Sequence, residues 1–125
     1  MPKQPTPVVN SDDVVRIVRR DFPAEQYADV MATLHEYGTE KWQQGIPRVQ
    51  LAALKLADGN LTKLRRCIST ATTDYRDVLA PAEYPGYLRE VSSARRPGPD
   101  AKEVQRIIDD DWAQYEAWLN KGHSR

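Results

Sequence analysis

Few side chains in this sequence have the types and spacing that chemistry asks for. There are two histidines, His35 and His123, and His35 is followed by Glu36 and Glu40. A zinc-protease helix would carry a second histidine four residues on, where both rings share a face, but position 39 is threonine. Asp109, Asp110 and Asp111 form an acidic run with Glu116 nearby. Successive helical residues point about 100° apart, so three in a row cannot face one cation. A cation between helices would need help from Asp74 or Asp77, and a solvated helix face is the simpler expectation. The single cysteine, Cys67, follows Arg65 and Arg66, which favour a thiolate. The helical stripe beside it instead predicts a small, half-buried core residue. The sequence therefore predicts no catalytic residues, no metal site and no cofactor. An enzymatic or small-molecule site remains only as something assembled by the fold around His35, Cys67 and Asp74.

Charge and aromatic residues carry more information. The chain has 18 basic and 18 acidic residues, so general attraction to nucleic acid is not built into its composition. The distribution is uneven, however. Between Glu40 and Asp74 the only acid is Asp58, against Lys41, Arg48, Lys55, Lys63, Arg65 and Arg66. From Asp100 to Glu116 there are six acids and two bases. This predicts either that the acidic segment packs beside the basic residues, or that a basic 41–66 surface meets a phosphate backbone through Lys63, Arg65 and Arg66. Two further pairs, Arg19-Arg20 and Arg95-Arg96, invite the same reading. A DNA-reading helix-turn-helix pivoting on Gly59 is disfavoured, because it would turn Lys55, Asp58 and Arg65 inward. Aromatic residues cluster at Tyr75, Tyr84 and Tyr87 and again at Trp112, Tyr115 and Trp118. Tyrosine and tryptophan at a half-exposed margin anchor protein interfaces. Tyr84, Tyr87, Trp112 and Trp118 are the candidate interface residues.

The elements that would position these groups are helical. In Arg48–Ala57, RVQLAALKLA, seven of ten residues are apolar and cover most of a helical circumference. Such a helix is buried by neighbours on several sides and should be the centre of the fold. Ser11 is placed to cap a first helix over about 12–20, with Asp12 and Asp13 against its dipole. Pro23 opens a second, whose stripe is Tyr27, Val30, Met31, Leu34 and Tyr37, up to Gly38. Trp42 falls in an irregular connection. After Asp58-Gly59-Asn60, the residues Leu61, Leu64, Ile68, Ala71, Tyr75, Val78 and Ala82 predict one helix, ended near Ala80 by Pro81. Residues 81–88 read as a helical turn followed by a Pro-Gly turn. Asp100, with Glu103, should cap a last helix that Lys121 and Gly122 end.

Two stretches, RVQLAALKLADGN and YRDVLAPAEYPGY, together resemble a recurring pattern in small bacterial all-helical proteins. The span from Arg48 to Tyr87 is about a third of the chain. The resemblance implies one continuous helical domain; it implies no activity, and no site residue carries over from it.

The predicted architecture is all-α, a compact bundle of about five helices centred on 48–57. Residues 1–10, with three prolines, form a flexible or extended tail; 11–91 form the helical core; 92–100 are a linker. Helix 101–121 docks on the core or, by exchange across the linker, on a second copy in a homodimer. No apolar run approaches a membrane span and the N-terminus lacks a hydrophobic signal core, so the expected location is cytoplasmic. The expected function is a protein-protein interaction or regulatory module. The nucleic-acid regulator is the alternative.

Overall fold

The computed structural model describes residues 3–40, 45–93 and 97–122. Lys41, Trp42, the Arg95-Arg96 pair and His123 lie outside the described residues. Among those described there are seven α-helices and no strand: α1 (Ser11–Asp21), α2 (Tyr27–His35), α3 (Ile46–Ala57), α4 (Leu61–Thr73), α5 (Arg76–Glu83), α6 (Pro85–Ser92) and α7 (Ala101–Asn120). A 3-10 turn at Ala24–Gln26 leads into α2. No helix among them is long and apolar enough to cross a membrane.

Helix α3 is the centre. It packs against α1, α4 and α5, and Val49, Leu51, Ala52, Ala53, Leu54 and Ala57 are all buried. Its one buried polar side chain, Gln50, donates to the Leu34 carbonyl at 3.0 Å, a second bond to an acceptor that also takes the Tyr37 amide, so the buried amide group is satisfied at the end of α2. Asp58 and Gly59 both take left-handed conformations after α3. The Gly59 backbone sits so close to the end of α1 that a Cβ would stand 2.9 Å from the Asp21 carbonyl oxygen. Asn60, the last residue of the Asp58-Gly59-Asn60 turn, caps α4 through the Lys63 amide, and Asp100 caps α7 through the Glu103 amide as the sequence predicts.

Five features differ from expectation, each for a local reason. The cap of α1 is Asn10, not Ser11: Asn10 and Asp13 exchange side-chain and backbone bonds in a capping box. The second helix begins only after the 3-10 turn that Pro23 introduces. The single helix expected over 61–80 is broken at Asp74. Its carboxylate accepts the Arg76 amide two residues on, at 3.0 Å, and two bonds from the Arg76 guanidinium, fixing an Asx-type turn that competes with the helical ladder. Pro81 does not end a helix but lies inside α5. The missing amide removes one bond, while burial of Leu79, Ala82 and Glu83 holds the turn together. The helical turn and Pro-Gly turn expected over 81–88 are instead the end of α5 and the start of α6, with Pro85 in its first position. These breaks turn about five helices into seven.

Candidate functional site

The aromatic face predicted from sequence is built on α6 and α7, and charges invisible in the sequence pattern hold those helices in place. Arg48 of α3 reaches Glu83 of α5 with a two-pronged pairing, Nε to Oε2 at 2.8 Å and Nη2 to Oε1 at 2.7 Å. Glu83 is 2% exposed, so this is a buried carboxylate neutralised by a partner 35 residues away. The pairing holds the guanidinium in its charged form and raises the Arg48 pKa. Next to Glu83 in sequence, Tyr84 is buried and donates its hydroxyl to the Pro5 carbonyl. Tyr115 of α7 is also buried, its hydroxyl without a hydrogen-bond partner among the described residues and within the field of Glu83 and Arg48.

Helix α7 packs on α5 and α6 of its own chain. The buried Asp111 supplies the link: Oδ1 accepts the Gly86 amide at 2.9 Å and Oδ2 the Tyr87 amide at 2.8 Å. Tyr84, the residue before α6, makes no side-chain cap. Asp111 therefore caps α6 from across the interface, an anion at the positive end of the helix. The far end of α7 is held by α1. Arg16 donates to the Leu119 carbonyl at 2.8 Å, and Arg20 to those of Trp118 and Lys121 at 2.6 and 3.0 Å. Arg20 also lies over the Trp118 ring, 5.3 Å from its centroid. Two cations thus meet the negative end of α7 and orient its aromatic residues.

Residues 3–10, outside helix and strand, lie alongside α7 as a strap. The Lys3 amide donates to Gln105 Oε1 at 2.7 Å, and Gln105 Nε2 returns a bond to the Lys3 carbonyl at 2.9 Å. Further on, Thr6–Val9 lie beside Trp112, Tyr115, Glu116, Leu119 and Asn120. Helix rises about 1.5 Å per residue and extended chain about 3.3 Å, so only a nearly extended strap covers this distance. Extension is one of the two states predicted for this proline-bearing segment, and Pro7 is buried by it. Between strap and helix a cleft of about 240 Å³ remains unfilled. Trp112 stacks near Tyr115 with centroids 6.4 Å apart, and Tyr115 meets Trp118 at 5.6 Å. Val8, at the rim, is 98% exposed.

The sequence candidates therefore separate. Trp112 and Trp118 are half-buried on the α7 face, Trp112 lining the cleft; Tyr87 is half-buried at the start of α6. Tyr84 is spent inside the fold on Pro5. Lys63, Arg65 and Arg66 are exposed along α4 and join no ion pair among the described residues. The rest of the basic 41–66 stretch contributes less surface, since Arg48 is committed to Glu83 and Lys55 is half-buried. Burial lowers the Lys55 pKa, with Asp111 opposing. His35 is exposed at the end of α2, and Asp74 is paired with Arg76. Cys67 is half-buried, and burial raises its thiol pKa against the pull of Arg66. None of the three lines the α7 cleft or the two other clefts. One of these, about 420 Å³, is lined by Arg19, Phe22, Pro23, Ala24 and Tyr27. The other, about 200 Å³, is lined by Gly45, Arg48, Val49, Tyr75 and Leu79. Among the described residues no group of three or more His, Cys, Asp or Glu is placed to hold a metal ion.

Arg48, Glu83, Asp111 and Gln105 are the residues that sequence reading missed. Three of the positions in this framework, Arg48, Glu83 and Gly86, fall within the two stretches that resemble the bacterial pattern. Their chemistry is structural.

The burial of the tyrosines has a measurable consequence. The Tyr84 pKa is pushed up from 10.0 to about 12, by burial first and then by the Glu83 charge. A folded-state pKa above the unfolded one means the neutral phenol is favoured by folding. That contribution is complete below pH 10.0 and is lost as pH rises to about 12. Chemical denaturation across this window should show stability falling as pH rises. Tyr84→Phe should flatten the fall in part, Tyr115 supplying the remainder because its pKa is raised as well. An unchanged slope in Tyr84→Phe would show that the phenol is equally solvated in both states.

Comparison with protein-family models, curated proteins and solved structures finds no match to this chain.

Proposed function

We propose that this protein is a small helical protein-protein interaction module, and that its docking face is the cleft between the strap and α7. The observation that carries this reading is the unfilled cleft of about 240 Å³ with Trp112 in its wall and a 98% exposed Val8 at its rim. Aromatic walls and an apolar rim bury well against a partner side chain, and such pockets concentrate binding energy. The groups around it are placed for holding, not for reaction: Arg16 and Arg20 grip α7, Asp111 caps α6, and Arg48 neutralises Glu83.

A second reading rests on a separate observation, Lys63, Arg65 and Arg66 on α4, exposed and without an ion pair among the described residues, which suit a phosphate backbone. One experiment separates the two. A photo-crosslinking amino acid is placed at Val8 or at Arg66, both exposed, and the protein is irradiated in cells. The interaction module predicts discrete protein adducts from Val8, abolished by Trp112→Ala. Nuclease-sensitive adducts from Arg66, with none from Val8, would transfer the function to the basic face of α4.

A further inference from the structure

Resting on that reading of the docking face, we propose its partner class: the face takes an extended, proline-bearing peptide segment of another protein, and the strap holds that place within the free chain. The argument comes from how the strap is bound. Gln105 both donates to and accepts from the Lys3 main chain, so its amide reads extended backbone without regard to side chain. Tyr84 donates to the carbonyl of Pro5. Pro7 is buried, and Trp112 and Tyr115 form the wall facing Thr6–Val9. These are the parts that proline-rich recognition requires. An extended proline-bearing chain has no internal hydrogen bonds, so its carbonyls are free to accept from donors such as Tyr and Gln. Proline offers no amide to leave unsatisfied, and its ring packs against aromatic walls.

The strap itself fits poorly. It leaves about 240 Å³ open beside Thr6–Val9, and Val8 points none of its surface into protein, being 98% exposed. A segment with a longer apolar side chain at the position of Val9, which is half-buried against the core and lines the cleft, would fill the space. The exposed Asp109, Asp110 and Glu116 on α7 favour a basic residue in the same segment. A tethered occupant competes at an effective concentration of the order of mM, so a better-fitting segment displaces it at modest affinity.

The test uses the full chain and two synthetic peptides. One reproduces residues 3–10, KQPTPVVN, and the other carries Val9→Leu. Each is titrated while the Gln105 side-chain amide and the Trp112 indole are followed by NMR. A chain carrying Pro7→Asp, or alternatively Lys3→Pro to remove the amide bonded to Gln105, loosens its own strap. Both signals should then shift at peptide concentrations at least ~10-fold lower than in the native chain. The Val9→Leu peptide should bind more tightly, and Gln105→Ala should weaken binding by ~10-fold, about one hydrogen-bonded pair. Glycine in place of both prolines in the peptide should weaken it as well.

Absence of any shift at mM peptide in either loosened chain, with helical circular dichroism intact, overturns the proposal. So does binding that ignores Gln105→Ala. Val8 crosslinks without peptide binding would overturn the proline segment as occupant while leaving the docking face standing. A native dimer dissociated by the peptide would make the occupant a second copy, and overturns a separate partner protein.

Discussion

Replacing Arg48 with methionine should lower the free energy of unfolding by about 3 kcal/mol, the largest loss expected from any single charged residue here. Glu83 has 2% of its surface exposed, and both of its oxygens are engaged by the one guanidinium. Methionine keeps much of the stem's packing but removes the counter-charge, leaving a carboxylate in an apolar setting. Breaking a buried pair typically costs about 3–5 kcal/mol. The lower end applies because the Arg48 side chain is 32% exposed, so water can reach the space it leaves. In a domain of this size the loss corresponds to a drop of roughly 10 °C in Tm. The companion variant settles the cause. Arg48→Met combined with Glu83→Leu removes both charges, and should recover most of the loss, since apolar replacement of a whole buried pair is often neutral or better. Urea denaturation of the two single variants and the double variant measures this. If the double variant is as unstable as Arg48→Met, packing and not charge holds α3 to α5.

That pair also shows where the sequence stops being informative. Helix α3 is legible because apolar residues around a full circumference have only one explanation, burial on several sides. The caps Asn60 and Asp100 are legible because capping acts over three residues. Arg48 and Glu83 each look like ordinary surface charges, and nothing local announces that they meet across 35 positions. The break at Asp74 is hidden for the opposite reason. The steps of three and four from Leu61 to Ala82 continue through it, because α4 and α5 both pack on α3. What decides the break is the Asp74 carboxylate closing on the Arg76 amide, a bond that periodicity does not register.

The acidic run departs from the solvated face expected of it: Asp109 and Asp110 are exposed, but Asp111 turns inward to cap α6. The direction was predictable, that only part of the run could share a face. The choice of Asp111 depended on where α6 begins, and that was misread by ending a helix at Pro81. Tyr84 illustrates the same limit. Its type suggested an interface, and the Pro5 carbonyl that occupies it lies 79 residues away. The strap's prolines leave a flexible and an extended state both open, and a segment without periodicity gives no sign of which surface it lies on.

The cap between α7 and α6 yields a prediction in which the sign, not only the size, is diagnostic. Gly86 is the second residue of α6, and alanine within a helix normally stabilises relative to glycine, by up to about 1 kcal/mol in the interior and less in the first turn. Gly86→Ala should instead destabilise, by about 1–3 kcal/mol. The added Cβ would stand 2.8 Å from Asp111 Oδ1 and 3.3 Å from both Oδ2 and the Ile107 Cγ2. The carboxylate must then move away from the Gly86 and Tyr87 amides. Asp111→Ala removes the cap outright and should cost about 2 kcal/mol, the loss of a charged cap on partly buried donors. Asp111→Asn keeps one acceptor oxygen and should cost less. The two sites touch, so their effects cannot add. With Asp111 already alanine, the main obstruction to the Gly86 Cβ is gone, only the Ile107 contact remains, and the helix preference for alanine reasserts itself. Gly86→Ala should therefore cost little in that background, giving a coupling of about 1–2 kcal/mol in a double-mutant cycle. Hydrogen exchange supplies the local readout: the Tyr87 amide should lose protection in Asp111→Ala and in Gly86→Ala alike. Strict additivity would mean that the glycine is needed for the approach of Ile107, and that the carboxylate caps α6 independently of it.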